Sequence, residues 1–247
     1  MNENVHSQGT SSRINRADLA IILLLTALWV LFFWRVLTPH VPDQVSLTEG
    51  DFSGQFYAFS AYQARRLLAG EIPLWNPYAN GGHPFLADTP AAVFYPPRLF
   101  TIFLSRLLGG WSYLALEMEA AAHFCLGSLL SYAFVRCMTG RPLAGLVASL
   151  TFTYGGYLTG YPILQLGGLE AAIWLPLILL GIHQATRRPG QVGWPCMVLA
   201  GVGLGLCLMA GHPQTAMYTL YLSLAYLAYR LWIHRLSWKR LFCLFLL

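Results

Sequence analysis

Long apolar runs of helix length alternate with short polar segments along most of this chain. A helix needs about 20 mainly apolar residues to cross the hydrocarbon core of a bilayer, and six runs approach that length. The pattern therefore predicts an all-α fold, a multi-spanning transmembrane helix bundle with about six full spans. The six runs cover residues 19–36, 112–137, 143–158, 169–185, 194–210 and 215–233.

Two further apolar runs are too short to cross a bilayer. The run 99–108 predicts an interfacial or re-entrant segment. The run 241–247 covers only about 10 Å as a helix, which predicts a truncated seventh span. We therefore expect the chain to be an N-terminal portion of a longer protein or a truncated gene product.

Lys and Arg residues flank alternate ends of the predicted spans. Such residues are enriched in short cytoplasmic loops, and the two short turns on the opposite side, 159–168 and 211–214, contain none. The distribution predicts a cytoplasmic tail over 1–16, a transmembrane domain over 17–247 and an exoplasmic loop over 37–111. The basic residues placed in the cytoplasm are Arg13, Arg16, Arg136, Arg141, Arg187, Arg188, Arg235, Lys239 and Arg240.

The central part of the exoplasmic loop, residues 48–98, is too polar and too rich in Pro and Gly to cross a membrane. Within it, Phe52, Phe56 and Phe59 recur at helical spacing. This spacing predicts an amphipathic juxtamembrane helix over 52–69 that lies on the outer membrane surface.

The composition agrees with a membrane protein and excludes other classes. The 247 residues are 56% hydrophobic and 10% charged, whereas soluble domains carry about 25% charged residues. The net charge of +5 follows the predicted topology and does not form one basic face, so we expect no nucleic acid partner. None of the five Cys lies in the polar stretch and no zinc-type spacing occurs, so we expect no disulfide framework and no structural zinc.

Asp51 stands at the start of the predicted amphipathic helix, and its carboxylate has two interpretations. Together with Thr48 it forms a T-x-x-D capping box, and an acid at a helix N-terminus is also favoured by the helix dipole. Alternatively, it is a catalytic carboxylate placed just outside the first span. The local sequence leaves both interpretations open.

Ionisable and amide side chains at membrane depth are concentrated in the outer halves of the predicted spans. Glu119 and His123 lie four residues apart and share a helix face. They either satisfy each other or face a substrate. The concentration predicts a polar cavity that opens outward. The other members of the set are Glu117, Gln165, Glu170, His212 and Gln214.

Cations and aromatic residues of the outer side also have alternative interpretations. The arginines there either reflect the tolerance of long loops for charge or bind an anion. The aromatic residues either stack against sugar rings or anchor the chain at the interface. The arginines are Arg35, Arg65, Arg66, Arg98 and Arg106. The aromatic residues are Trp75, Tyr78 and Tyr95.

Several short motifs follow one another in a characteristic order. They are Gly50-Asp51-Phe52-x-x-Gln55-Phe56-Tyr57, Ile72-Pro73-Leu74-Trp75-Asn76-Pro77-Tyr78, Gly81-Gly82-His83-Pro84-Phe85, Ala92-Val93-Phe94-Tyr95-Pro96-Pro97, His123 and Gly211-His212-Pro213-Gln214. From about Glu49 to Tyr218 the chain resembles the N-terminal part of the YfhO-type bacterial membrane proteins, which are similar to GT-C glycosyltransferases. Those proteins are longer, with more helices and usually a soluble part.

The resemblance implies a GT-C-like enzyme of the bacterial plasma (inner) membrane with a cytoplasmic N-terminus. Such an enzyme moves a sugar from a polyprenyl-phosphate donor to a cell-envelope polymer or lipid acceptor on the outer face. Its catalytic acid follows the first helix, which matches Asp51, with Glu49 as the near alternative. Some GT-C enzymes use a divalent metal ion, but this loop contains no DxD-type pair, so no metal ligand is assigned and no other cofactor is expected.

The expected partners are therefore membrane lipid, the polyprenyl-phosphate sugar and the envelope acceptor. Two other functions stay open: a transporter or flippase for a lipid-linked substrate, and a non-catalytic membrane subunit. A chain that stops in a seventh span is also expected to lack acceptor-binding elements of the family. The candidate substrate-binding residues are Gln55, Arg65, Arg66, His83, Arg98, Glu119, His123 and His212.

Overall fold

The computed structural model describes residues 15–47, 50–187 and 193–234, without the side chains of Tyr161 and Pro162. In these ranges the chain is helical and has no β-strand, which confirms the predicted all-α class. The α-helices are α1 Arg16–Phe32, α2 Trp34–Leu37, α3 Tyr57–Leu68, α4 Pro96–Leu107, α5 Tyr113–Thr139, α6 Pro142–Tyr154, α7 Gly156–Thr159, α8 Tyr161–Leu164, α9 Leu166–Ala172, α10 Leu175–Ala185, α11 Trp194–Met209 and α12 Pro213–His234.

Some predictions fall outside the described residues and receive no structural account. They include the seventh span and most of the N-terminal tail. The individual residues are Arg13, Thr48, Glu49, Arg188, Arg235, Lys239 and Arg240.

Two helical segments of the described chain are long and apolar enough to cross a membrane. They are Tyr113–Thr139, which is α5, and Leu166–Ala185, which combines α9 and α10. The helix Trp194–Met209 is apolar but shorter. Length and composition thus support a membrane protein with candidate transmembrane helices.

Helix α1 packs antiparallel to α5. At one end, Arg136 Nε and the Tyr132 hydroxyl donate to Asp18 Oδ1 over 2.7 and 2.6 Å. Toward the other end, Trp29 Nε1 donates to the carbonyl oxygen of Ala121 over 2.6 Å. The Asp18 carboxylate also accepts from the Asn15 backbone in a capping box, so one side chain both starts α1 and ties it to α5.

Small residues bring the following helices close together. A Cβ atom at Gly145 of α6 would lie 2.8 Å from the ring of Tyr132 on α5, and the Ser128 and Ser149 hydroxyls meet at 2.8 Å. A Cβ atom at Gly181 of α10 would lie 2.6 Å from the Cys196 carbonyl oxygen of α11. Close approach through glycine and serine is the usual way in which membrane helices associate.

The end of α10 lies beside the end of α12, so these two helices run in the same direction. His183 Nδ1 is 2.9 Å from the Tyr226 hydroxyl, and Arg230 Nε donates to Thr186 Oγ1 over 3.0 Å. Consequently the starts of α9 and α12 come together at the opposite end, where the polar residues of the candidate site are found.

Three predicted elements differ from the structure. The predicted turn 159–168 is largely helical, because it contains α8 and the start of α9. The predicted helix 143–158 is broken at Gly155, whose ψ of 158° leaves the helical region between α6 and α7. The predicted helix 52–69 begins as a π-helix, Phe52–Phe56, and continues as α3.

The Phe face of this outer helix points into the protein. Phe52 is 0% and Phe56 6% exposed, in one cluster with Tyr95 and Phe124. Phe59 instead packs near Phe85 in a smaller cluster. Burying one such side chain contributes about 1.5–3 kcal/mol, so this segment packs against the helices rather than resting only on a lipid surface. We call residues 37–111 the outer loop, after their predicted location.

Candidate functional site

The Asp51 carboxylate bonds to a residue outside its own helix. Gly50 precedes it with a left-handed φ of +65°, and Asp51 makes no side-chain capping hydrogen bond to the π-helix that follows. Its Oδ2 atom instead accepts a 2.9 Å hydrogen bond from Gln165 Nε2. The T-x-x-D box stays a prediction, because Thr48 lies outside the described residues. The Asp51 side chain meets a residue 114 positions along the chain.

Gln165 and His212 extend this contact into a chain of hydrogen bonds. The Nδ1 atom of His212 accepts from Thr215 N over 3.3 Å and lies 2.8 Å from Thr215 Oγ1. Since Nδ1 is then an acceptor, Nε2 carries the hydrogen and donates to Gln165 Oε1 over 3.3 Å. With its oxygen occupied, the Gln165 amide presents its NH₂ group to Asp51.

His212 sits in the turn before α12 and acts as the cap of that helix. Burial lowers the pKa of its imidazole below the usual value, because the charged form loses hydration. The ring is therefore neutral at pH 7, in agreement with the tautomer that its two hydrogen bonds require. A neutral His212 holds Gln165 without adding a charge beside Asp51.

A cavity of about 770 Å³ opens beside this chain. Gln165, His212, Gln214 and Thr215 form its polar part, at the starts of α9 and α12. The apolar part continues about 10 Å farther along these helices, at about 1.5 Å per residue. The apolar and aromatic lining residues are Phe152, Tyr157, Ala172, Leu175, Tyr218 and Leu222.

The turn between α11 and α12 is clamped by the outer loop. A Cβ atom at Gly211, which has a φ of +78°, would lie 2.3 Å from the Thr89 carbonyl oxygen. A Cβ atom at Gly167 would lie 3.1 Å from the carbonyl oxygen of Ala210. These two glycines allow the loop, the turn and α9 to meet, and this meeting positions His212 against Gln165.

Arg98 lies in the interior and is paired with two carboxylates. The guanidinium donates from Nε to Glu119 Oε1 over 2.7 Å and from Nη2 to Glu170 Oε1 over 2.8 Å. The three side chains are only 1–2% exposed. They tie α4 to α5 and α9, and as arranged they hold one another rather than an external ligand. We call these three residues the buried ion cluster.

The predicted mutual pairing of the Glu119 and His123 side chains is wrong. His123 Nδ1 donates to the backbone oxygen of Glu119 over 2.7 Å. Its Nε2 accepts from the Tyr95 hydroxyl over 2.7 Å, and Trp174 Nε1 donates to the same hydroxyl oxygen over 3.0 Å. The imidazole is thus satisfied in the interior, and Tyr95, with 0% exposure, stacks against no external sugar.

The other predicted site residues are distributed over the outer loop. Gln55 is half-buried on the π-helical turn. His83 Nε2 lies 3.0 Å from Asp88 Oδ2. Arg66 pairs with Glu71 over 2.7 Å, and the Arg65 guanidinium lies over aromatic rings. The structure therefore brings together Asp51 and His212, and separately Arg98 and Glu119, but not the whole predicted set.

The residue that the sequence argument missed as a partner of Asp51 is Gln165. The sequence argument listed Gln165 among the polar residues of the predicted outer side only because of its place along the chain. A contact between residues 114 positions apart leaves no signal in the local sequence. Glu170 was likewise named in that set, but its pairing with Arg98 was not foreseen. An intramembrane acid with an arginine elsewhere in the chain is the one hint available.

The surroundings of Asp51 do not form a metal site in the described residues. No group of three or more His, Cys, Asp or Glu side chains is placed to hold an ion in this part of the chain. The direct partner of Asp51 is an amide NH₂ group, which is a donor and not a ligand. We therefore derive no step through a metal ion.

Comparison of the chain with protein-family models, with curated proteins and with solved structures finds no match. The likeness to YfhO-type proteins consequently stays a prediction from the motifs. Any function has to be argued from the cavity and its residues.

Proposed function

We propose that the protein is a membrane glycosyltransferase that moves a sugar from a polyprenyl-phosphate donor to a cell-envelope acceptor. In this proposal α1, α5, α6–α7, α9–α10, α11 and α12 cross the plasma membrane of a bacterium, with the starts of α9 and α12 at the outer face. The observation that carries the proposal is the Asp51 carboxylate, which bonds to Gln165 at the polar part of a largely apolar cavity.

The shape of the cavity supports a lipid-linked substrate. Its apolar part suits an isoprenoid chain, and its polar part suits a head group at the membrane surface. The lining has no Lys or Arg among the described residues. The leaving phosphate is instead met by the NH₂ group of Gln214, which lines the cavity, and by the positive end of the α12 dipole.

The reaction follows from these placements. Asp51 takes the proton from the acceptor hydroxyl as its oxygen attacks the anomeric carbon. The bond from that carbon to the phosphate oxygen breaks, and the electron pair leaves with the lipid phosphate. Gln165 is a positioning residue, because it lines the cavity and its NH₂ group holds the Asp51 carboxylate beside it without taking part in the proton transfer.

The direct test uses membranes containing the full chain and a polyprenyl-phosphate sugar with a labelled sugar. Label recovered in an envelope polymer or lipid supports the transferase. Label that crosses the bilayer on its original carrier overturns it in favour of a transporter. Membranes that neither transfer nor move the label would also contradict the proposal and would favour a non-catalytic subunit.

Substitutions of Gln165 test its positioning role. Gln165→Met removes the donor to Asp51 and keeps the size, so we expect the transfer rate to fall about tenfold, which corresponds to about 1.4 kcal/mol. Gln165→Glu places a like charge against Asp51 and should lower the rate further, with the donor KM little changed in both variants. A purely structural role of Gln165 predicts no such order of the two variants, so equal losses would contradict the positioning role.

A further inference from the structure

The outer loop carries a second cavity of about 540 Å³, which shares no lining residue with the cavity near Asp51. Its volume lies within the range of about 300–1,000 Å³ that is common for small-molecule sites. The residues used below are Arg65, Arg66, Glu71, Trp75 and Tyr78. We call this cavity the loop cavity.

Two aromatic side chains of the loop cavity are exposed but held in place. Trp75 is 55% and Tyr78 75% exposed. A Cβ atom at Gly82 would lie 2.8 Å from Trp75 Cζ2, so the glycine backbone packs directly against the indole. Tyr62, itself buried, donates its hydroxyl hydrogen to the Trp75 carbonyl oxygen.

The hairpin beneath these rings is also tied together. Asn76 and His83 exchange backbone hydrogen bonds of 2.9 and 3.0 Å, and Asn76 Oδ1 accepts from Tyr78 N over 3.0 Å. The backbone that carries both aromatic residues is therefore fixed, so a ligand that stacks on them does not have to order the hairpin first.

Charged groups lie beside the rings. Arg65 Cζ lies 5.2 Å from the centroid of the Tyr78 ring and 5.7 Å from that of Tyr62. Arg66 is paired with Glu71 over 2.7 Å, whereas Arg65 makes no ion pair in the described ranges of the chain. The loop cavity thus combines one paired charge with one uncompensated positive charge.

We propose that the loop cavity binds an acidic saccharide. The apolar face of a pyranose ring packs on the exposed indole of Trp75 and the ring of Tyr78. The planar groups of Arg66 and Glu71 hydrogen-bond ring hydroxyls, and Arg65 meets a carboxylate or phosphate on the sugar. Binding of the saccharide here does not depend on the proposed transfer reaction. Where that reaction holds, the bound saccharide is the acceptor, a statement that rests on the proposed function.

Binding is tested with detergent-solubilised full chain on a printed array of neutral, uronic-acid-containing and phosphate-containing oligosaccharides. We expect acidic members to be retained and their neutral counterparts to bind at least about tenfold more weakly. The strongest acidic binder is then titrated against variants. Trp75→Ala and Arg65→Met should each weaken binding about tenfold or more, and Gly82→Ala should do so by displacing the indole.

The matched controls are Trp34→Ala and Arg35→Met. Trp34 is 45% exposed and carries the Arg35 guanidinium 5.9 Å from its ring centroid, but neither residue lines the loop cavity. Binding should be unchanged in both. Retention of no acidic glycan, or binding that Trp75→Ala and Arg65→Met leave intact, would overturn the proposal.

Vesicles of anionic phospholipid without sugar separate the saccharide from a lipid head group. Vesicle binding that is insensitive to Trp75→Ala supports the saccharide site. If Trp75→Ala abolishes vesicle binding but retains glycan binding, Trp75 is an interface anchor and the saccharide site is refuted. Asp51→Asn should leave glycan binding intact. A loss of transfer therefore tests the proposed function, and a loss of glycan binding tests the loop cavity.

Discussion

Asp51→Asn is expected to lower sugar transfer by at least about 100-fold, since a positioned general base contributes about 10²–10⁴ in rate. The asparagine keeps the shape of the side chain but cannot accept the acceptor's proton. Its amide can still contact Gln165, whose own oxygen remains bonded to His212, so the cavity should persist. The measurement is label transfer from a polyprenyl-phosphate sugar in membranes with equal amounts of protein.

The matched control is Asp43→Asn, which makes the same chemical change at an exposed acid of the same outer loop. Asp43 has a side chain that is 52% exposed and pairs with His40 at the surface, so the transfer rate of this variant should stay within about twofold of the parent, as surface substitutions cost little. Transfer by Asp51→Asn at the parental rate would remove Asp51 from the chemistry. Equal losses in both variants would point to a general effect on the loop.

Arg98→Met is expected to destabilise the protein by about 3–5 kcal/mol, which is the usual result of leaving a buried charge without its partner. The substitution leaves the carboxylates of Glu119 and Glu170 in the interior with no cation between them. Unfolding in detergent can be followed by the reaction of Cys207, which is fully buried in the fold, with a fluorogenic maleimide.

Two comparisons separate the buried charge from a loss of packing. Arg66→Met removes an ion pair of the same 2.7 Å length, but its side chains are 43% and 52% exposed, so the cost should be about 0–1 kcal/mol. The triple variant Arg98→Met, Glu119→Gln and Glu170→Gln removes every charge of the buried ion cluster and should recover much of the loss. If Arg98→Met and Arg66→Met have the same free energy of unfolding, the buried ion cluster does not stabilise the fold.

The buried ion cluster also shows where sequence reasoning stops. Arg98 lies in the segment that the sequence predicts to be the outer loop, and its charge alone suggested that it binds an anion. The structure places it 2% exposed between α5 and α9, where two acids already satisfy it. Which of the five arginines of the predicted outer side is buried depends on how α4 packs against the other helices. The sequence of so short a helix does not show where it packs.

Asp51 shows the complementary case. Its location just after the first helix could be predicted, but its direction could not. The first turn of the helix after Asp51 is a π-helix that the Asp51 side chain does not cap, and the carboxylate bonds to Gln165. The close packing at Gly167 and Gly211 brings α9 and the turn before α12 up to the loop, where Gln165 can reach Asp51.

The sequence by itself determined the all-α class, the two helical segments long enough to cross a membrane and the polar segment before the first of them, because these follow from local periodicity and from the length of apolar runs. Only the tertiary structure decided the partners of the charged residues, the breaks at Gly155 and between α9 and α10, and the two separate cavities. These features join residues far apart in the chain. Their energies depend on burial and on distances of a few ångströms, which no local pattern encodes.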